Sequence, residues 1–419
     1  MELDPPRGTT DLFPPESDAM LALYQEAHQL ANRFGYRYVE TPAFEHTELF
    51  ARTSGEGSDV VTKEMYTFED KGGRSLTLRP EGTAPVVRAY LERRQQLPVP
   101  FKAYYVAPMW RHGRPQAGRL REFRHFGIEV IGTDAPGADV EAMVVGDKFL
   151  RGRGLTKLKL FVNSVGDKEC RPAYRELLVA FLRDHEDKLC KDSRARIDTN
   201  PLRVFDCKEE TCRAVMRDAP LIPDHLCESC RDHFISVQAG LKFEGLAFEH
   251  DPRLVRGLDY YTRTAFEFVS EVLNPAQATV CGGGRYDGLA EELGGEPTPG
   301  IGFGLGLDRT LLALDEEGAG PPSARGAACF VVRIGDKAEQ VARELLGDLR
   351  AAGVAASASF EDRPLKAQLK MANSSGARYA AIIGEKELAA KQVTLKRLSD
   401  GQQETVALSE AVKWITGQA

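Results

Sequence analysis

The run Gly318-Ala-Gly-Pro-Pro-Ser-Ala-Arg-Gly326 constrains this chain most, because a packed element could not be built across it. Its adjacent prolines remove backbone donors and its glycines loosen the chain, which predicts a linker. Beyond it, residues 329–334, 354–360 and 379–383 read as strands, and 337–352 and 365–375 as helices. That alternation predicts a small mixed-sheet domain. Residues 327–419 carry 13 Lys+Arg against 11 Asp+Glu, a net of +2, within a chain whose formal charge is −7. A basic appendage beside an acidic body suits polyanion binding, whereas the overall acidity argues against a protein that coats DNA.

The body before the linker is long enough, among the 419 residues, for two further domains. Met20, Leu23, Tyr24, Ala27, Leu30, Ala31 and Phe34 recur at three- and four-residue steps, which predicts an amphipathic helix over 16–34. Residues 64–69 and 75–79 alternate around Asp70-Lys-Gly-Gly-Arg74 and predict an antiparallel hairpin. Helices are expected at 83–94 and 138–151, and strands at 101–109, 121–131, 158–163, 261–269 and 279–282. A glycine-rich run follows at 300–306. Residues 167–248 differ in being helical, charge-rich and cysteine-bearing, as an inserted module would be. The expected division is a core over 1–166 and 249–317, the insertion at 167–248, the linker at 318–326 and the basic domain at 327–419.

The N-terminus shows neither a basic region nor an apolar one of the secretory kind, and no apolar stretch approaches the roughly 18 residues of a membrane span. A cytoplasmic protein without membrane contact is therefore expected. The eight cysteines are too few for a disulfide scaffold. Neither G-x-x-x-x-G-K-[ST] nor G-x-G-x-x-G spacing occurs, so bound phosphates would have to be held by arginines and metal. Arg111, Arg114, Arg119, Arg121 and Arg124 crowd one segment with His112 and His125, against the single acid Glu122. Arginine's planar fork suits phosphate oxygens. Arg79, Glu81 and Thr83 alternate, and so share a face if extended. Leu254-Val-Arg-Gly-Leu-Asp-Tyr-Tyr261 packs a cation, a carboxylate and two phenols together.

Those strings, with Arg111-His-Gly-Arg-Pro-Gln-Ala-Gly-Arg119, Cys281-Gly-Gly-Gly-Arg-Tyr-Asp-Gly-Leu289 and Gly302-Phe-Gly-Leu-Gly-Leu-Asp-Arg309, resemble the class II aminoacyl-tRNA synthetases. The likeness is to the histidyl-tRNA synthetase family in particular, and it runs from about residue 6 to the C-terminus. It implies an α+β fold: an antiparallel-sheet catalytic core with a helical insertion, and a C-terminal α/β anticodon-binding domain. It implies a histidine–tRNA ligase that takes ATP with Mg²⁺, L-histidine and tRNA(His) and acts as a homodimer, with residues 16–42 in the interface. Arg256 and Arg111 would be catalytic, and Arg111, Arg256 and Arg309 would bind ATP. Glu81 and Thr83 would receive the histidine ammonium, and Glu129 and Tyr261 the imidazole nitrogens. His125, Tyr260, Tyr286 and glycines 282–284 would complete the pocket.

Three positions depart from that pattern. Gly113 replaces the glutamate expected to meet the adenine amine, His125 replaces a glutamine, and Asp308 replaces a glutamate. The cysteines are a separate matter. Cys207 and Cys212, then Cys227 and Cys230, have spacings compatible with one structural Zn²⁺ site, with His233 as a further candidate ligand. Two other readings use the same residues: a regulatory paralogue of the kind that partners ATP phosphoribosyltransferase, and a tRNA-binding protein without catalysis. The former generally lacks both the arginine–tyrosine string and the C-terminal domain.

Overall fold

The computed structural model describes residues 4–54, 64–275, 277–320 and 328–417, so most of the predicted linker lies outside the described residues. The chain divides into two compact units, Met1–Pro322 and Ser323–Ala419. The predicted N-terminal helix spans Glu16–Arg33 and buries Met20, Leu23, Ala27, Leu30 and Ala31, as its spacing requires. Gly35 follows with φ +78°, which suits the chain reversal at its end. The hairpin pairs Tyr66–Glu69 with Ser75–Leu78, and Asp70 accepts the backbone N–H groups of Gly72 and Arg74 across the turn.

An eight-stranded sheet organises the larger unit. Its strand order is Arg37–Tyr38, Phe101–Trp110, Glu122–Ile131, Gly300–Gly306, Thr279–Arg285, Thr262–Ser270, Leu158–Ser164 and Glu249–His250. The six central strands are mutually antiparallel, and both short edge strands pair parallel. Because side chains alternate along a strand, each face has its own composition. Phe126, Ile128 and Val130 point into the main core, as do Ile301, Phe303 and Leu305, under helices Glu16–Arg33 and Pro136–Gly152. His125, Gly127 and Glu129 alternate with the first set, and Gly302, Gly304 and Gly306 with the second. The face opposite the helices is thus polar and nearly bare.

The segment predicted as an insertion forms helices Arg171–Asp184, Lys191–Thr199, Glu210–Met216 and Glu228–Phe243. It has a small core of its own, including Tyr174, Leu178, Ile197 and Val204. The last helix belongs to both cores. Cys230 lies in the small one, while Phe234, Val237 and Leu241 pack into the main one. His233, proposed from sequence as a metal ligand, is instead a core histidine whose Nε2 lies 3.1 Å from Asp139 Oδ1. Arg285 donates Nη2 to Asp139 Oδ2 at 2.6 Å, and both side chains are fully buried. Burial opposes the Asp139 charge, yet hydrogen bonds from His233 and Arg285 hold its carboxyl below the usual range.

The smaller unit is a five-stranded mixed sheet. Cys329–Arg333 runs parallel to Ala356–Ala358 and Tyr379–Ile383, and Gln392–Arg397 and Gln403–Ala407 extend it antiparallel. This hairpin and helix Ala411–Gly417 were not read from sequence: Val393 and Leu395 do alternate into the core, but the partner strand Gln403–Ala407 is a polar, exposed edge and the helix is short.

Removing one partner from a buried ion pair strands the other charge, at a cost of roughly 3–5 kcal/mol. Asp139→Ala should therefore lower the denaturant midpoint of the full chain by that equivalent; an unchanged midpoint would show that Arg285 is satisfied without it.

Candidate active site

One cleft opens over the bare face of the eight-stranded sheet, and most of the residues singled out from sequence meet in it. Glu81, Thr83, Arg111, His125 and Arg256 line it, as do Tyr260, Tyr261 and Arg309. Glu129 and Tyr286 stand behind that lining, hydrogen-bonded to each other at 2.6 Å.

Glu81 ends the loop before helix Thr83–Arg93. Its two oxygens accept the N–H groups of Thr83 and Ala84 at 2.7 and 3.0 Å, which caps the helix. Burial still raises its carboxyl pKa above the ordinary value. Glu129 is wholly buried, and it accepts hydroxyl hydrogen bonds from Thr83 at 2.7 Å and Tyr286 at 2.6 Å. With no cation bonded to it among the described residues, burial drives its pKa well up. Such a carboxyl readily binds an N–H donor.

Four glycines create the room. Gly282 pairs with Gly304 and Gly284 with Gly302 across neighbouring strands. A Cβ at Gly302 would stand 1.9 Å from Glu129 Oε2, and one at Gly282 would stand 2.5 Å from Arg256 Nη2. Gly284 lies under the Tyr261 ring and Gly304 under His125. Of glycines 282–284, expected to complete the pocket, Gly282 lines the cleft; Gly282 and Gly284 also admit the protein's own side chains, while Gly283 faces Phe266 and Phe303 on the core side.

Arg256 donates Nη1 to Glu267 and lies 5.6 Å from the Tyr261 ring centroid. Burial works against its charge, but Glu267, Tyr261 and Asp206 more than offset this and raise its pKa. Glu267 also accepts the Thr279 hydroxyl at 2.9 Å. Sequence reading missed Glu267, although a lone acid between Phe266 and Phe268 on an alternating strand was a visible signal.

The other two arginines are held differently. Arg111 donates Nε to the Pro80 carbonyl at 2.8 Å and packs against Phe123. Arg309 donates to the carbonyls of Gly118 at 2.9 Å and Thr279 at 2.8 Å. Neither makes an ion pair among the described residues. Burial, with mutual repulsion for Arg309, lowers both pKa values. Both are cations oriented by carbonyls rather than neutralised by acids. Beside them, burial and the charges of Arg111 and Arg309 push His125 down to about 3.

Of the other loop arginines, Arg124 is tied to Asp308 at 2.9 Å and Arg119 to Glu64 at 2.5 Å. Glu64 is a second residue that sequence reading missed. Its Oε1 would lie 3.3 Å from a Cβ at Gly113, and it lines the cleft. A carboxylate therefore stands beside the very position where the chain lacks one.

The single cysteine site expected from spacing does not form. Cys227 and Cys230 gather with Asp167 and Cys170, while Cys207 and Cys212 gather with Cys190. Spacing along the chain could not reveal this. The partners come from segments 17–60 residues away, brought together by the module's own core.

A class II synthetase core is defined by this geometry, and comparison with known proteins makes the assignment specific. The histidyl-tRNA synthetase family profile matches residues 8–310, and an anticodon-binding-domain profile matches 328–418. The histidine–tRNA ligase of Moorella thermoacetica is 49% identical over 98% of this chain and 97% of its own. That of Caldanaerobacter subterraneus subsp. tengcongensis is 46% identical over 98% of both. The crystal structure of apo S. aureus histidyl-tRNA synthetase superposes with TM-score 0.82 at 38% identity, covering 99% of this chain and all of that one. The chain belongs to the histidyl-tRNA synthetase family.

His125 should remain neutral from pH 5 to 8, so its ring resonances should not titrate there by NMR. The sign follows from its lowered pKa: the unfolded chain binds the extra proton first, so stability is full above about 6.5 and falls as pH drops toward about 3. A ring titrating near 6.5 would contradict the assigned environment.

Proposed function

We propose that the cleft joins the carboxylate of L-histidine to the α-phosphate of ATP, releases pyrophosphate, and passes the histidyl group to the 3′ end of tRNA(His). The observation that carries this reading is the pair Arg111 and Arg309, half-buried and held by carbonyls, with no acid paired to either among the described residues. In-line displacement at phosphorus needs positioning and charge neutralisation more than covalent help. Arg111 takes the α-phosphate and Arg309 the distal phosphates. Arg256, fixed by Glu267, approaches the reacting carboxylate and α-phosphate. Mg²⁺ accompanies the polyphosphate. On this wall Glu267 is already engaged by Arg256 and Thr279, so the arginines carry the neutralisation.

At the other end, Glu81 and Thr83 receive the ammonium group, and Tyr260 closes over Glu81, its hydroxyl 3.5 Å from Oε2. Glu129 and Tyr261 meet the imidazole nitrogens, with Tyr286 fixing Glu129 from behind. An apolar amino acid would leave these groups unpaired, which discriminates strongly. Glu64 takes the role that Gly113 leaves open and accepts the adenine amine. Residues 167–248 remain the inserted module and 327–419 the anticodon-binding domain. The homodimer reading is supported by exposed Phe13, Leu21, Tyr38, Phe44 and Phe68 in the N-terminal segment. No described helix is long and apolar enough to cross a membrane, and a cytoplasmic location fits this activity.

Histidine-dependent ATP–pyrophosphate exchange, followed by charging of tRNA, tests the assignment. Arg256→Ala should lower exchange at least about 10²-fold while the chain stays folded by circular dichroism; near-normal exchange would remove its role. Glu64→Gln should raise the KM for ATP by about tenfold while leaving that for histidine unchanged, since one charged acceptor contributes roughly 1.5–3 kcal/mol. Equal effects on both constants would exclude Glu64 from adenine recognition.

A further inference from the structure

We propose that Asp167, Cys170, Cys227 and Cys230 form a structural zinc site that clasps the entry and exit of the inserted module. One ligand atom from each lies within 4.8 Å of all the others. Cys170 Sγ and Cys230 Sγ are 3.8 Å apart, Cys170 Sγ and Asp167 Oδ1 3.7 Å, and Cys227 Sγ and Asp167 Oδ1 3.9 Å. Zinc–sulfur bonds of about 2.3 Å in tetrahedral array give an edge of about 3.8 Å, so the donors already stand near coordination distance. Cys170 and Cys230 are buried in the module's core, and Asp167 and Cys227 are half-buried, as a closed structural site requires.

The surroundings fit the same reading. Asp167 directs Oδ1 at the thiols and accepts Arg263 Nε on Oδ2 at 3.3 Å, so its second oxygen is fixed from outside the cluster. The backbone N–H of Asp167 points at Cys170 Sγ, at 3.3 Å. Three thiolates and a carboxylate around Zn²⁺ leave a net charge of about −2. Arg171 and Arg263 are the nearby cations, each coupled electrostatically to Asp167 and Cys230. The second group, Cys190, Cys207 and Cys212, has three thiols with Ser193 Oγ 3.3 Å from Cys190 Sγ, one charged donor fewer than the first.

The clasp has a consequence for the cleft. Asp167 and Cys170 follow the sheet strand Leu158–Ser164, and Cys227 and Cys230 open the helix that returns to the main core. Arg171, next to Cys170, donates to the carbonyls of Val165 at 2.8 Å and of Tyr261. Zinc would therefore brace the backbone of the loop that carries Arg256 and Tyr261, without touching substrate.

The test is zinc content of the full chain, purified from zinc-supplemented cells, by plasma mass spectrometry beside Cys230→Ser, Asp167→Asn and Asp167→Cys. The wild type should carry at least about one zinc per chain. Cys230→Ser should lose one equivalent, and Asp167→Asn should release zinc to a chromogenic chelator about tenfold faster. Asp167→Cys, a four-thiolate site, should keep its zinc and fold normally, which guards against a variant that merely misfolds. Cobalt bound in place of zinc should show the visible bands of a tetrahedral thiolate complex, absent in Cys230→Ser. Zinc-free wild type, a Cys170–Cys230 disulfide found by mass mapping, or zinc lost from Cys207→Ser but not from Cys230→Ser would each overturn the proposal.

Discussion

Two neighbouring strands keep one face almost free of side chains, and the cleft exists because of that. In Gly300–Gly306 every second residue is glycine, and Gly282 and Gly284 stand opposite two of them. Removing four Cβ atoms from one patch lets Arg256, Tyr261, Glu129 and His125 lie flat on the sheet. The alternate residues Ile301, Phe303 and Leu305 anchor the same strand in the core, so this bare surface is also rigid. A larger residue at Gly302 would collide with the Ile128 carbonyl as well as with Glu129, and so could not be relieved by a rotamer change.

On that floor the charges are sorted by how they are satisfied. Arg256 is paired with Glu267 and Arg124 with Asp308, while Arg111 and Arg309 are held in place by carbonyl oxygens. Carbonyls orient a guanidinium without cancelling its charge, so the field of these two is left for a ligand. Burial, helped by the same field, keeps His125 neutral, which leaves its ring one donor and one acceptor. At the opposite wall, Glu81 and Glu129 have their ionised forms disfavoured by burial, which a bound cation or ring N–H would reverse. The two ends of the cleft thus have complementary electrostatic character, cationic at one and carboxyl-lined at the other.

Much of this was legible in the chain. The helix Glu16–Arg33 follows from apolar spacing, the hairpin around Asp70 from alternation and a glycine turn, and the smaller unit's first strands and helices from their alternation. Arg111, Arg256 and Arg309 stood out because clustered or motif-borne arginines are rarely neutral packing elements. Glu64 did not, since nothing local distinguishes an acid that pairs with a distant arginine from one that faces water; Glu267 was marked by its place between Phe266 and Phe268, but its pairing with Arg256 was not. His233 shows the converse error: it sits near cysteines in sequence, but its helix turns it toward Asp139.

The sequence by itself determined the periodicities, the two-unit division, and the chemical types available to the site, because these depend on residues close along the chain. Tertiary structure alone decided which groups neutralise one another. It paired Arg256 with Glu267 while leaving Arg111 and Arg309 to carbonyls, put Glu64 beside Gly113, and separated two cysteine pairs that spacing had joined. Charge compensation and metal geometry are set over a few ångströms in space. Residues that satisfy them here are separated by up to 60 positions in the cysteine clusters and 55 between Glu64 and Arg119, distances over which local sequence carries no register.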